Sequence, residues 1–147
     1  MQTLARDFMT ADPACCRPHT TLDQVAKMMV QHDCGEIPVL DLTDHPIGVV
    51  TDRDIVCRMV AEGKNPMAYP AETCMSGSVV TVRADARIAD VVSTMEHHQV
   101  RRVPVVDDMG CCIGIISQAD VASVARTGQV AELVSEVSRD TKAGRVT

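Results

Sequence analysis

Tryptophan is absent from this chain, and phenylalanine and tyrosine occur once each, as Phe8 and Tyr69. Without rings, a core must be packed from Val, Ile, Leu, Ala and nine Met. Met fills irregular gaps, so its abundance points to packing rather than to a ligand surface. There is no Lys/Arg-rich block and no basic stripe interleaved with aromatics, and the net charge is −6. Nucleic-acid binding therefore lacks its electrostatic footing. No apolar run approaches the roughly 20 residues of a membrane span. Met1 to Asp12 lack the apolar centre of a signal peptide. These absences lead us to expect a cytoplasmic protein with neither a nucleic-acid nor a membrane partner.

No C-x-x-C occurs among the seven cysteines, Cys15, Cys16, Cys34, Cys57, Cys74, Cys111 and Cys112. Two of the spacings are adjacent doublets, which suit neither tetrahedral zinc nor an ordinary disulfide. Reduced, mostly buried thiols are expected. His32, His45 and the neighbours His97 and His98 add no recognisable ligand spacing, so no metal site and no catalytic Cys–His pair is expected.

What the 147 residues do contain is a repeat. Shifting the sequence by 66 aligns residues 5–62 with 71–128 without a gap, and twelve positions are identical, among them Ala5/Ala71, Met9/Met75, Arg17/Arg83, Pro38/Pro104, Gly48/Gly114 and Asp54/Asp120. Repeats of this kind are sought before local structure. Each copy reads β-α-β-β-α. The first strand is clearest in Val79–Val82. An amphipathic helix follows, with Leu22, Val25 and Met29 on one face in repeat one and Ile88, Val91, Val92 and Met95 in repeat two. Thr21-x-x-Gln24 has the spacing of a capping box. Two strands come next, Ile37–Leu40 and Ile47–Val50, copied as Val103–Val106 and Cys112–Ile116. The closing helices are expected near Asp52–Glu62 and Gln118–Arg126.

The chain is organised around Gly48-Val49-Val50-Thr51-Asp52-Arg53-Asp54 and its copy Gly114-Ile115-Ile116-Ser117-Gln118-Ala119-Asp120. A hydroxyl and, three residues on, an acid stand where a strand gives way to a helix. The plainest reading is a helix cap, with Asp replacing the usual Glu. The functional reading is a carboxylate and free helix N–H groups converging on a ligand.

The fold class expected is α+β, with two small sheets packed through their helices about a pseudo-two-fold axis. Residues 1–66 form repeat one with its connector, 67–128 repeat two, and 129–147 a C-terminal helix and tail. A unit of about 60 residues buries little core alone. The apolar face Val130, Leu133, Val134, Val137 calls for a partner, either this domain or a second subunit.

The two Gly-h-h-[Ser/Thr]-x-x-Asp segments (h, apolar), with Ile37-Pro38-Val39-x-Asp41 and Val103-Pro104-Val105-x-Asp107, resemble a pair of CBS domains, a Bateman module. The resemblance covers residues 5 to about 127. It implies a stand-alone bacterial-type regulatory protein, not an enzyme, that pairs into a homodimer, binds an adenine nucleotide and signals to an unknown downstream protein. AMP, ADP, ATP, NAD and S-adenosylmethionine are the ligand candidates, and no cofactor is required. Asp54 and Asp120 would accept the ribose hydroxyls, and Thr51 and Ser117 would bond ribose or phosphate. Main-chain groups near Ile37 and Val103, with Ala14 and Val80, would frame the adenine. Arg53, Arg101 and Arg102 would face phosphate, to which a planar guanidinium is suited. Glu36 stands where Arg102 stands in the other repeat, so the resemblance implies two unequal clefts: Thr51 and Asp54 with the arginines, Ser117 and Asp120 with Glu36. A thiol-based redox or stress protein with a vestigial nucleotide site is the alternative, with Cys15/Cys16 or Cys111/Cys112 as its oxidisable groups.

Overall fold

The computed structural model describes residues 3–77 and 79–126. The architecture is α+β with two small sheets, one of order β1-β6-β5-β4 and one pairing β2 with β3. The elements in chain order are α1 (Ala5–Phe8), β1 (Thr10–Ala11), α2 (Leu22–His32), β2 (Glu36–Leu40), β3 (Pro46–Thr51), α3 (Asp52–Ile55), β4 (Val82–Arg83), α4 (Ile88–His98), β5 (Arg102–Val106), β6 (Cys112–Ser117) and α5 (Gln118–Arg126). The Val130–Val137 face expected to be apolar lies outside the described residues.

The chain divides into two compact units, and neither is continuous in sequence. Unit one takes the residues up to Ala11, then Val80–Asp108 and those from Ile113 on; unit two takes Asp12–Val79 and Met109–Cys112.

Unit two packs around Leu22, Val25 and Met29 from α2, Ile37 and Val39 from β2, and Val50, Ile55 and Met59 from the arm after it. Ala71 and Cys74 close this core, both fully buried. The periodicity of Leu22, Val25 and Met29 is thus the buried face of α2, as an i, i+3, i+7 stripe requires. The Thr21 capping box is not formed, because Thr21 makes no side-chain cap bond. The Thr21 hydroxyl beside the Asp23 carboxylate, with the Gln24 N–H, holds the Asp23 pKa below its ordinary value. The helix expected over Asp52–Glu62 runs as α only to Ile55, after which Val56–Val60 form a wider π turn. Ala61 N–H donates to Val56 C=O across it at 2.9 Å. The wide turn keeps Met59 in the core and leaves Val56 and Val60 outside.

Unit one repeats the plan with Val91 and Met95 from α4, Val103 and Val105 from β5, Ile116 from β6 and Val82 from β4. Ile88 and Val92 form a smaller cluster with Phe8, Val121, Val124 and Ala125. The leading strand β1 joins β6 in antiparallel register, Thr10 opposite Ile115 and Ala11 opposite Gly114. α1 is tied into the same unit by Ala5 N–H to Ala86 C=O at 2.8 Å.

Gly48 and Gly114 make equivalent accommodations. A Cβ on Gly48 would lie 2.6 Å from Met75 Sδ and 2.9 Å from the Ser76 carbonyl. One on Gly114 would collide with the Met9 side chain. Each unit therefore seats a methionine against a glycine inside its junction strand, Gly48 in β3 and Gly114 in β6, and in unit one that methionine comes from the far end of the chain. Arg17 and Arg83 repeat each other too. Arg17 donates to Asp44 at 2.8 Å and to the Asp41 carbonyl; Arg83 donates to Asp108 at 2.8 Å and Asp85 at 3.2 Å.

Candidate functional site

Both strand-to-helix junctions are complete capping boxes. In unit two Asp54 N–H donates to Thr51 Oγ1 at 3.0 Å, and Thr51 N–H donates to Asp54 Oδ2 at 3.0 Å. In unit one the same pair of bonds joins Ser117 and Asp120, at 3.2 and 2.9 Å. The hydroxyl and the acid are needed at that spacing because the first helical N–H groups have no partner within the helix. A preceding main-chain bond fixes each junction from behind: Asp52 N–H to Gly35 C=O at 3.0 Å, and Gln118 N–H to Arg101 C=O at 2.9 Å. Each cap uses Oδ2 of its aspartate. At Asp54 the other oxygen faces Arg58 Nε at 3.8 Å, and Arg58 Nη1 also donates to the Cys74 carbonyl at 3.2 Å.

Twelve positions carry the ligand expectation, and they divide evenly between the units. Unit two holds Ala14, Glu36, Ile37, Thr51, Arg53 and Asp54; unit one holds Val80, Arg101, Arg102, Val103, Ser117 and Asp120. Glu36 is opposite Thr51 in the β2–β3 register and is only 7% exposed. Arg102 opens β5 half-buried, and Arg101 is exposed. Ile37 and Val103 are fully buried in their cores, which leaves only their main chain for a ligand. Ala14 and Val80 each pack at the edge of their own unit's core. Arg53 is exposed, its N–H bonded to Asp52 Oδ1 at 2.8 Å.

Arg58 was not among the expected residues. Its signal was the i, i+4 spacing from Asp54, which puts a cation and an acid on one helix face. A cavity of about 460 Å³ in unit one was also unforeseen: Val92, Met95, Glu96, Gln99, Val100, Gln118 and Val121 line it, at the end of α4 and the start of α5. None of the twelve positions lines it.

The cysteines correct one expectation. All seven are free, but only Cys16 and Cys74 are buried; Cys57 is exposed and the other four are half-buried. Burial raises the Cys16 thiol pKa to about 11, and burial with the nearby Asp54 charge raises that of Cys74. Cys15 precedes α2, Cys34 follows it, Cys57 lies on the π turn, and Cys111 and Cys112 stand at the start of β6. His45, set aside as a ligand on sequence grounds, bridges the turn of unit two: its Nδ1 lies 2.6 Å from Thr43 Oγ1 and its Nε2 2.6 Å from the Met109 carbonyl. Among the described residues no group of three or more His, Cys, Asp or Glu is placed to hold a metal ion. No helix among them is long and apolar enough to cross a membrane.

Comparison with known proteins gives a consistent picture. The CBS domain family model matches residues 5–61 and 71–126. Hypoxic response protein 1 of Mycobacterium tuberculosis is 40% identical over 120 residues, 82% of this chain and 83% of that protein. Its crystal structure with two coordinated zinc ions superposes with a TM-score of 0.76 at 39% identity, over 82% of this chain and 98% of that one. A CBS domain pair in complex with 5′-methylthioadenosine and S-adenosyl-L-methionine shares the fold at a TM-score of 0.78 and 24% identity, over 88% and 100% of the two chains. CBSX2 in complex with AMP shares it at 0.75 and 23%, over 84% and 97%.

Proposed function

We propose that this chain, which belongs to the CBS domain family, is a non-enzymatic sensor of an adenosine-containing ligand. A CBS pair is a regulatory module, and no catalytic domain accompanies the two repeats within the described residues. One observation carries the ligand class: each unit fixes an aspartate by the same two cap bonds at the same strand-to-helix junction. A carboxylate held rigidly in this way is ready to accept the two neighbouring hydroxyls of a ribose, because its rotamer has already been chosen. The adenosine ligands of two structural neighbours support the same class.

In this reading Asp54 and Asp120 anchor ribose, Thr51 and Ser117 help hold it, and main chain at Ile37 and Val103, with Ala14 and Val80, frames the base. Arg53, Arg101 and Arg102 serve phosphate, while Glu36 disfavours it. Ligand binding would alter the placement of the repeats in a homodimer, and a downstream protein would read that change.

Titration calorimetry with adenosine, AMP, ADP, ATP, NAD and S-adenosylmethionine tests this directly. At least one should bind. Asp54→Ala and Asp120→Ala should each weaken their site by about 1.5–3 kcal/mol, as loss of a charged acceptor does. Arg102→Ala should weaken AMP and ATP far more than adenosine, with added salt mimicking part of that loss. Failure of all six compounds to bind would overturn the proposal. Mutants that melt earlier yet bind normally would leave the aspartates as caps alone.

A further inference from the structure

The two junctions share their cap, but the helices that leave them differ one turn on. In unit one α5 runs as a regular α-helix from Gln118 to Arg126. In unit two the α form stops at Ile55, and Val56–Val60 widen into the π turn. A π turn is rare and is frequently found at functional sites. The charged side chain it carries is Arg58, which is exposed. The copy of Arg58 66 residues on is Val124, which packs against the small cluster of Ile88 and Val92.

Two contacts fix Arg58. Its Nη1 donates to the Cys74 carbonyl at 3.2 Å, and its Nε lies 3.8 Å from Asp54 Oδ1. The first is a hydrogen bond; the second is too long for one and is a contact between charges. Asp54 Oδ2 is engaged by the cap, where it accepts the Thr51 N–H. Oδ1 can therefore still accept from a ligand hydroxyl while a guanidinium offsets its charge. The Asp54 side chain is 19% exposed, so water screens this pair only in part. At the other junction Ser117 N–H donates to Asp120 Oδ2 at 2.9 Å, the same cap geometry. There an apolar side chain holds the place of the guanidinium, and the two junctions differ in charge.

We infer, resting on the adenosine reading above, that Arg58 is a specificity-determining residue of the Thr51/Asp54 junction. It selects an adenosine that carries a 5′-phosphate over one that carries a cationic 5′ group. That reading gave phosphate only Arg53, Arg101 and Arg102. With the ribose hydroxyls on Asp54, the 5′ group begins a few ångströms away, inside the roughly 8 Å over which charges act at physiological salt. A bare carboxylate at that range repels phosphate and attracts a sulfonium or an ammonium. A carboxylate beside a guanidinium does so far less. The Cys74 carbonyl takes one of the five N–H donors that a guanidinium carries, so others can meet a phosphate oxygen. At the Ser117/Asp120 junction the preference reverses, toward a sulfonium of the S-adenosylmethionine kind.

Calorimetry reads each junction by itself in a full chain whose other aspartate is replaced by Ala, with adenosine as the neutral reference. In Asp120→Ala, AMP should bind more tightly than S-adenosylmethionine. Adding Arg58→Gln should weaken AMP about tenfold, as loss of one partly screened charge does, and leave adenosine unchanged. Arg58→Lys should restore most of the loss. In Asp54→Ala, S-adenosylmethionine should bind more tightly than AMP, and Arg58→Gln should alter neither. Equal weakening of AMP and adenosine by Arg58→Gln would make Arg58 a structural clamp and overturn the inference. An AMP-to-adenosine ratio indifferent to Arg58 would overturn it too. In both outcomes binding persists and the adenosine reading stands. Failure of all three compounds at both junctions, in chains whose melts show them folded, overturns that reading and the role of Arg58 with it.

Discussion

Unit two and unit one share a backbone plan but differ in chemistry. Unit two holds all the thiols, a buried Glu36 opposite its junction hydroxyl, and Arg58 beside its junction aspartate. Unit one holds no cysteine in its described part, has Arg102 in place of Glu36, and lines a cavity of about 460 Å³. The features that stayed the same are those the main chain demands: the glycine under a methionine, the hydroxyl and acid of the cap, the arginine on the turn. The positions that diverged include buried Glu36 as well as more exposed side chains around the junctions. Duplication has kept the scaffold and freed the rest to specialise.

The comparison can be broken most severely in the cores. Leu22 and Ile88 occupy the same repeat position, but Leu22 is sealed in the large cluster and Ile88 belongs to the small one. Leu22→Ala should cost about 2–5 kcal/mol, as large core truncations do. Ile88→Ala should cost less, since its neighbours can collapse inward. Chemical denaturation of the two variants measures both; equal losses would show the clusters to be equally closed.

A second contrast lies at the glycines. Gly48→Ala would press on the Ser76 carbonyl, whereas the nearest atoms to a Cβ on Gly114 all belong to the Met9 side chain, whose far end can move. Overpacking of the first kind costs about 1–3 kcal/mol. Thermal melts should rank Gly48→Ala below Gly114→Ala.

The junction caps should be closer in effect. Thr51→Ala and Ser117→Ala each remove one capping acceptor, worth about 0.5–2 kcal/mol. The two melts should fall within error of each other, because the bonds replaced have almost the same geometry.

The smallest effect is alkaline and confined to unit two. Burial raises the Cys16 pKa above its ordinary value of 9.0, to about 11. Below pH 9 both folded and unfolded states keep the proton and stability is flat. As pH rises from about 9 through about 11, the unfolded chain ionises while the folded one resists, so stability falls. Hydrogen exchange should show amides of unit two loosening first over that range, and Cys16→Ala should flatten the response.

Much of this was legible in the sequence because periodicity reports burial. The apolar faces of α2 and α4, the paired strands and both capping boxes stand where the spacing put them. Thr21 misled because a hydroxyl at that spacing can bond the acid two residues on as readily as the helix N–H groups. The π turn left no spacing signature, since Ile55 and Met59 are four apart in either geometry. The exchange of segments was hidden for a different reason. Ala5 and Met9 are identical to Ala71 and Met75, so the alignment alone cannot say whether a leading segment packs on its own repeat or on the other.

That crossing sets the order in which the molecule can be finished during synthesis. Residues up to Ala11 leave the ribosome first, yet β1 has nothing to pair with until Gly114 and Ile115 follow. Residues 12–79 can meanwhile gather all eleven buried members of their cluster, from Cys16 to Cys74. The opening segment waits as an unpaired edge through most of translation, and closing it is a non-local event of the kind that folds slowly. The chain therefore completes its middle before its beginning.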